Sequence, residues 1–219
     1  MRRLFRAEYF RLFHSWPLLA LSLVFGVVST LATGATFPDS QGASLLLVFL
    51  CDRRYAALFY IVAGAYFFCM DFMQRGFNQA LYSGASRAGL LFVKHVCYLS
   101  LCAAISCVSM ATALIVCRAS VGAWEPWFLI KLILFRLLVD MGFASVFTLF
   151  AYVLKKPSFM VSAGGAYALV LMFSKYANYQ HWLPLAMPDP DYTPLILPLI
   201  MLVASPILAY AVFSQTELR

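Results

Sequence analysis

The stretch DFMQRGFNQALYSGASR, Asp71 to Arg87, decides how the chain is read. Its seventeen residues hold three charges, two Gln, an Asn and two Gly, between two long apolar runs. A polar, half-helical interruption in an oily chain marks a place where the backbone leaves hydrocarbon and meets water. The runs on either side are then membrane spans, and the segment itself is a loop.

Composition supports that reading. Hydrophobic residues make up 63% of the chain and charged residues 11%, against roughly 45–50% and roughly 25% in soluble domains. Within the 219 residues no polar block is long enough to form a second domain, so residues 1–219 read as one membrane unit. Spanning helices need about 20 mostly apolar residues. Six segments qualify: 15–35, 55–73, 91–116, 127–154, 158–174 and 192–213. The expectation is an all-α integral membrane protein with six transmembrane helices. Between the first two spans, SLLLVFL (Ser44 to Leu50) is too short to cross and reads as a short helix or half-buried loop.

Orientation follows from the basic residues, because positive loops stay cytoplasmic. With both termini inside, the inner segments hold Arg2, Arg3, Arg6, Arg11, Arg75, Arg87, Lys94, Lys155, Lys156 and Arg219. The outer ones hold only Arg53, Arg54, Arg118 and Lys175. The net charge of +7 is thereby accounted for by topology and contact with anionic membrane lipid, with no call for nucleic acid. The opening run MRRLFRAEYFRLFHSW mimics a signal peptide, but the apolar stretch after it is long enough to span. Leu4, Phe5, Tyr9, Leu12 and Phe13 recur at helical spacing among four arginines, which reads as an N-terminal interfacial helix over 1–14. An extended start of the first span is the alternative.

Motifs for chemistry in this chain are missing. There is no G-x-x-x-x-G-K-[ST], no H-E-x-x-H and no G-x-S-x-G, and His14, His95 and His181 share no partner. Of six cysteines, Cys69, Cys97, Cys102 and Cys107 lie inside apolar runs and read as packing residues, while a Cys51–Cys117 disulfide at the outer surface stays open. KLILFRLLVD places Lys131, Arg136 and Asp140 in the fourth span. Lys131 is near enough to the start to snorkel outward, but Arg136 and Asp140 are near mid-depth, four residues apart on one helix face. Ionised groups there cost roughly 2.5–3.5 kcal/mol, so both must face protein or a wet cavity. They either fix this helix against a neighbour or line a translocation path. SAGGA (Ser162 to Ala166) reads as a close helix contact, and the aromatic, proline-rich Lys175 to Tyr192 as a gate or an interfacial belt.

With Asp71 to Arg87 in the cytoplasm, the pattern resembles the membrane (permease) subunits of ABC-2 type ABC transporters. The shared features are Asp71 at the end of span two, Gly76, a short helix from Asn78 to Tyr82, Gly84, Ser86 with Arg87, and Lys94 entering span three. Glu8 in the interfacial helix and the polar tail FSQTELR fit the same pattern. The acid departs from it, being Glu in many relatives. The resemblance implies that the 74–90 loop carries a coupling helix, that a cytosolic ABC ATPase subunit docks there, and that a second permease subunit, identical or related, pairs with this one. ATP and Mg would bind in the ATPase, with no cofactor in this chain. Asp71, Gln74, Arg75, Gly76, Phe77, Gln79, Ala80, Leu81 and Arg87 become the coupling residues. Gly76 lets the chain turn out of the membrane, and Phe77, Ala80 and Leu81 form an apolar ridge at i, i+3, i+4 spacing aimed at the partner or at lipid headgroups. The implied function is export of a peptide, antibiotic or other amphipathic compound across a bacterial plasma membrane. Alternatives are an ion-gradient-driven transporter, for which internal repeats are lacking, and a non-transporting immunity or scaffold protein.

Overall fold

The computed structural model describes residues 2–14, 16–36, 54–74, 76–117, 125–174 and 196–215. Ser44 to Leu50, Lys175 to Tyr192, Arg75, Cys51 and His181 lie outside them. Helices α1 (Arg2–His14) and α2 (Trp16–Thr36) come first. The next run begins as α3 (Arg54–Gly64), widens into a π-helical turn (Ala65–Cys69) and finishes as the single turn α4 (Met70–Met73). Then follow α5 (Gly76–Tyr82), α6 (Arg87–Val116), α7 (Pro126–Leu154), α8 (Pro157–Ser174) and α9 (Ile196–Gln215). No strand occurs among the described residues.

Local chemistry sets the helix ends. Helix α5 is stopped by Gly84, whose φ of 90° is open to glycine. The Gly84 and Ala85 amides reach back to the Leu81 and Ala80 carbonyls at 3.0 and 3.1 Å, which closes the last turn. Ser86 then caps α6, its hydroxyl accepting from the Gly89 amide at 3.1 Å. This cap starts α6 at Arg87, four residues before the apolar run suggests. Pro126 opens α7 where its missing N–H costs nothing, and Lys155 ends it in the left-handed region with φ 56°.

The apolar core also encloses charged residues, and many large apolar side chains are exposed. Asp71, Lys94, His95, Arg136 and Asp140 are buried, whereas Leu23, Leu31, Phe92, Ile115, Leu134, Val203 and Ile207 are more than half exposed. An apolar exterior of that extent belongs in hydrocarbon. Three helices, Arg87–Val116, Pro126–Leu154 and Pro198–Gln215, are long and apolar enough to cross a membrane. The described residues are thus helical, and these three helices mark a membrane protein.

Helices α7 and α9 form the most closely knit pair. A Cβ on Gly142 would stand 2.6 Å from the Pro198 carbonyl oxygen, so only glycine allows the approach. Further along, Pro206 sits inside α9 and lacks the N–H that would serve the Leu202 carbonyl. The Ser145 hydroxyl of α7 donates to that carbonyl at 3.4 Å. Helix α2 packs on α6 and α3, α8 on α3, and α1 on α6. Within SAGGA the close contact narrows to Gly164, where a Cβ would lie 2.3 Å from the Ile61 side chain; Gly165 faces open space.

Candidate functional site

At one end of the bundle, Asp71 lies on the last turn of α4 and is 3% exposed. A buried carboxylate needs compensation, and two cations supply it. Arg11 of α1 clasps it with both nitrogens, Nη1 to Oδ1 at 2.6 Å and Nη2 to Oδ2 at 3.0 Å. Lys94 of α6, 2% exposed, donates to Asp71 Oδ2 and to Glu8 Oε1, the latter at 2.9 Å. Glu8 Oε2 lies 3.8 Å from Arg11 Nε. Two carboxylates and two cations cancel. Phe67 and Phe77 shield the group, their ring centres 5.3 and 5.2 Å from the Lys94 ammonium. Burial opposes the Arg11 charge, but its hydrogen bond to Asp71 and the charges of Asp71 and Glu8 outweigh that and raise its pKa. The cluster ties α1, α4 and α6 together. Gly76 has its reason here too: a Cβ would stand 3.2 Å from Asp71 Oδ1, so the glycine provides room beside the carboxylate.

The loop helix faces opposite to the sequence expectation. Phe77 is 1% exposed, with ring centres of Phe72, Tyr152 and Phe213 at 4.3, 5.7 and 5.5 Å. Ala80 and Leu81 pack partly against the same core. Of the ridge, Phe77 thus points into the bundle, while Ala80 and Leu81 stay half-buried at its edge. Three or four apolar side chains on a seven-residue helix are buried wherever apolar surface is nearest, and here that is the bundle's own end. The outward residues are Gln74, Gln79, Tyr82 and Ser83, with Tyr82 88% exposed. Arg87 is likewise turned inward: its Nη1 donates to the carbonyls of Phe213 at 3.1 Å and Ser214 at 2.7 Å, closing the end of α9. A cleft of about 550 Å³ lies between α1 and the following turn, lined by Leu4, Ala7 and Ser83 to Ser86 with Gly89.

Arg136 and Asp140 form a second buried group, 1% and 0% exposed. About ten residues into α7, at ~1.5 Å each, they stand near the helix middle. Arg136 Nε is 3.5 Å from Asp140 Oδ2, as their spacing on one face requires. The Ser106 hydroxyl donates to Asp140, and Arg136 Nη2 donates to Ser109 Oγ at 2.9 Å. Ser109 also meets Thr30 at 3.0 Å and Ser29 at 3.4 Å. The pair faces the interior of its own bundle and joins α7 to α6 and α2. His95 bonds Thr148 at 3.0 Å between α6 and α7, and His14 bonds the Phe10 carbonyl at 3.1 Å. Lys131 stacks its ammonium on Trp127, 5.5 Å away and one turn nearer the helix start, the snorkelling its position suggests. Among the described residues no three His, Cys, Asp or Glu gather as for a metal.

Sequence reasoning singled out Asp71 but did not bring Arg11, Glu8 and Lys94 to it. The available signal was a lone acid in a basic helix and a lysine deep in an apolar one, each needing a partner. No family model matches the chain, and no curated protein matches it.

Proposed function

We propose that this chain is the membrane subunit of an ATP-driven transporter of the ABC-2 type, exporting a peptide, antibiotic or other amphipathic compound. In this reading α2, α3 with its π turn, α6, α7, α8 and α9 are six crossings. Helix α1 lies in the interface, and both ends are in the cytoplasm of a bacterial plasma membrane. A second permease subunit, identical or related, completes the path. A cytosolic ABC ATPase holds ATP and Mg.

The observation that carries the proposal is the construction of the Asp71–Arg87 loop. It is a helix rooted in the bundle by Phe77 and ended at Gly84, followed by the Ser86 cap of α6, with Gln74, Gln79, Tyr82 and Ser83 turned outward. A solvated connector has no need of such anchoring. A handle does, because a push on a helix moves the membrane helices only if its root is fixed. Closure of the ATPase on ATP would act on the outward face, and the differential contact in the two states would shift the bundle between inward- and outward-facing forms.

The test is purification of the tagged chain from its native membrane in mild detergent, followed by reconstitution with the proteins that accompany it. An ATPase should co-purify and drive uptake of an amphipathic dye into inside-out proteoliposomes. Tyr82→Asp with Gln79→Ala should release the ATPase and leave thermal unfolding unchanged. Movement of substrate on an ion gradient with no ATPase in the preparation would overturn the proposal.

A further inference from the structure

We infer that the second half of α9, Pro206 to Gln215, is a lever hinged at Pro206 and fastened by Arg87 to the Asp71–Arg87 loop, so that the loop acts on the bundle through the chain's last helix. Only the final step, transport, rests on the function proposed above.

The fastening is chemical. The last carbonyls of a helix have no intrahelical donor and carry its negative end. Arg87 Nη1 donates to two carbonyls of the last described turn of α9, Phe213 O and Ser214 O, at 3.1 and 2.7 Å. Its guanidinium lies 5.8 Å from the Phe213 ring centre. That ring is 1% exposed and meets Phe77 of the loop helix at 5.5 Å and Tyr152 of α7 at 5.0 Å. Arg87 itself is the first residue of α6, directly after the Ser86 cap. Phe77 of the loop helix and Arg87 at the loop's end therefore hold the same turn of α9.

The hinge is equally local. Proline in a helix interior removes one hydrogen bond and crowds the carbonyl four residues back. Here that carbonyl, Leu202 O, is taken by the Ser145 hydroxyl of α7, and Gly142 of α7 holds the Pro198 backbone close on the same side of the proline. The first half of α9 is thus held by α7, while the second half is held by the loop as well as by Tyr152 of α7. Pro206 between them, with one backbone hydrogen bond already missing, is the place where relative movement breaks fewest bonds.

The experiment compares the full chain in lipid nanodiscs with Arg87→Ala, Arg87→Lys and Pro206→Ala by amide hydrogen exchange, and measures transport per ATP hydrolysed in the co-purified complex. Arg87→Ala should raise exchange of the 211–215 amides about tenfold, with Arg87→Lys restoring most of the protection, since a fastening releases its own turn first. Exchange of 211–215 unchanged in Arg87→Ala would overturn the inference. Transport per ATP should fall about tenfold in Arg87→Ala and, with the hinge stiffened, in Pro206→Ala. A complex that keeps the wild-type ratio in both variants would also overturn it. If the exchange result holds and no ATPase accompanies the chain, the fastening stands and the transporter reading fails.

Discussion

Lys94 serves two carboxylates at once, and its loss should be among the most damaging single changes. Lys94→Met leaves Glu8 and Asp71 facing one cation, Arg11. Removing one partner of a buried ion group typically costs about 3–5 kcal/mol. Thermal unfolding in detergent should show a loss of that order, and a shift within error would mean the cluster is wet. Arg136→Leu should behave alike, whereas Arg136→Leu with Asp140→Leu should regain most of the loss, since a pair replaced by apolar groups leaves no orphan charge. Phe77 and Tyr82 make a sharper contrast on one short helix. Phe77→Ala should cost about 3–5 kcal/mol, because its ring fills space among Phe72, Tyr152 and Phe213. Tyr82→Ala, at a side chain 88% exposed, should stay within about 0.5 kcal/mol.

Among the elements, the glycines divide by what they touch. Gly142→Ala puts a Cβ 2.6 to 3.0 Å from the Pro198 backbone, which cannot swing aside as a side chain does. The α7–α9 pair must part, at about 1–3 kcal/mol. Gly165→Ala meets nothing and removes a flexible residue from a helix, so it should gain up to about 1 kcal/mol. Equal effects of the two substitutions in the same unfolding assay would contradict this packing. The π turn at Ala65–Cys69 is an element-scale feature that periodicity did not indicate. It comes immediately before the turn carrying Asp71, in keeping with the tendency of such turns to stand beside functional groups.

For the molecule as a whole, the contacts of Arg87 with Phe213 and Ser214, and of Lys94 with Glu8, bring α1, the loop and the end of α9 to one end of the bundle. Ser83→Cys and Ser214→Cys, both at exposed positions, should therefore react with an impermeant maleimide from the same side of the membrane. Glu125→Cys, exposed before α7, should react from the other. In the topology proposed above, the first side is the cytoplasmic one. Labelling of all three cysteines from one side would refute six crossings.

Hydrophobicity, helix period and punctuation are local, and they sufficed for the helical class, for the three helices long and apolar enough to cross a membrane and for the Arg136–Asp140 pair, whose members are four residues apart. They sufficed to mark Asp71 to Arg87 as a separate piece. They did not reveal which way Phe77 points, because in a chain 63% hydrophobic an apolar face is owed equally to lipid and to protein. Nor did they bring together Asp71, Arg11 and Lys94, or carry Arg87 to the end of α9, since those partners come from distant helices. Buried charge decided the first grouping and the bonds of the Arg87 guanidinium to backbone carbonyls the second. Both forces act only once the helices are side by side.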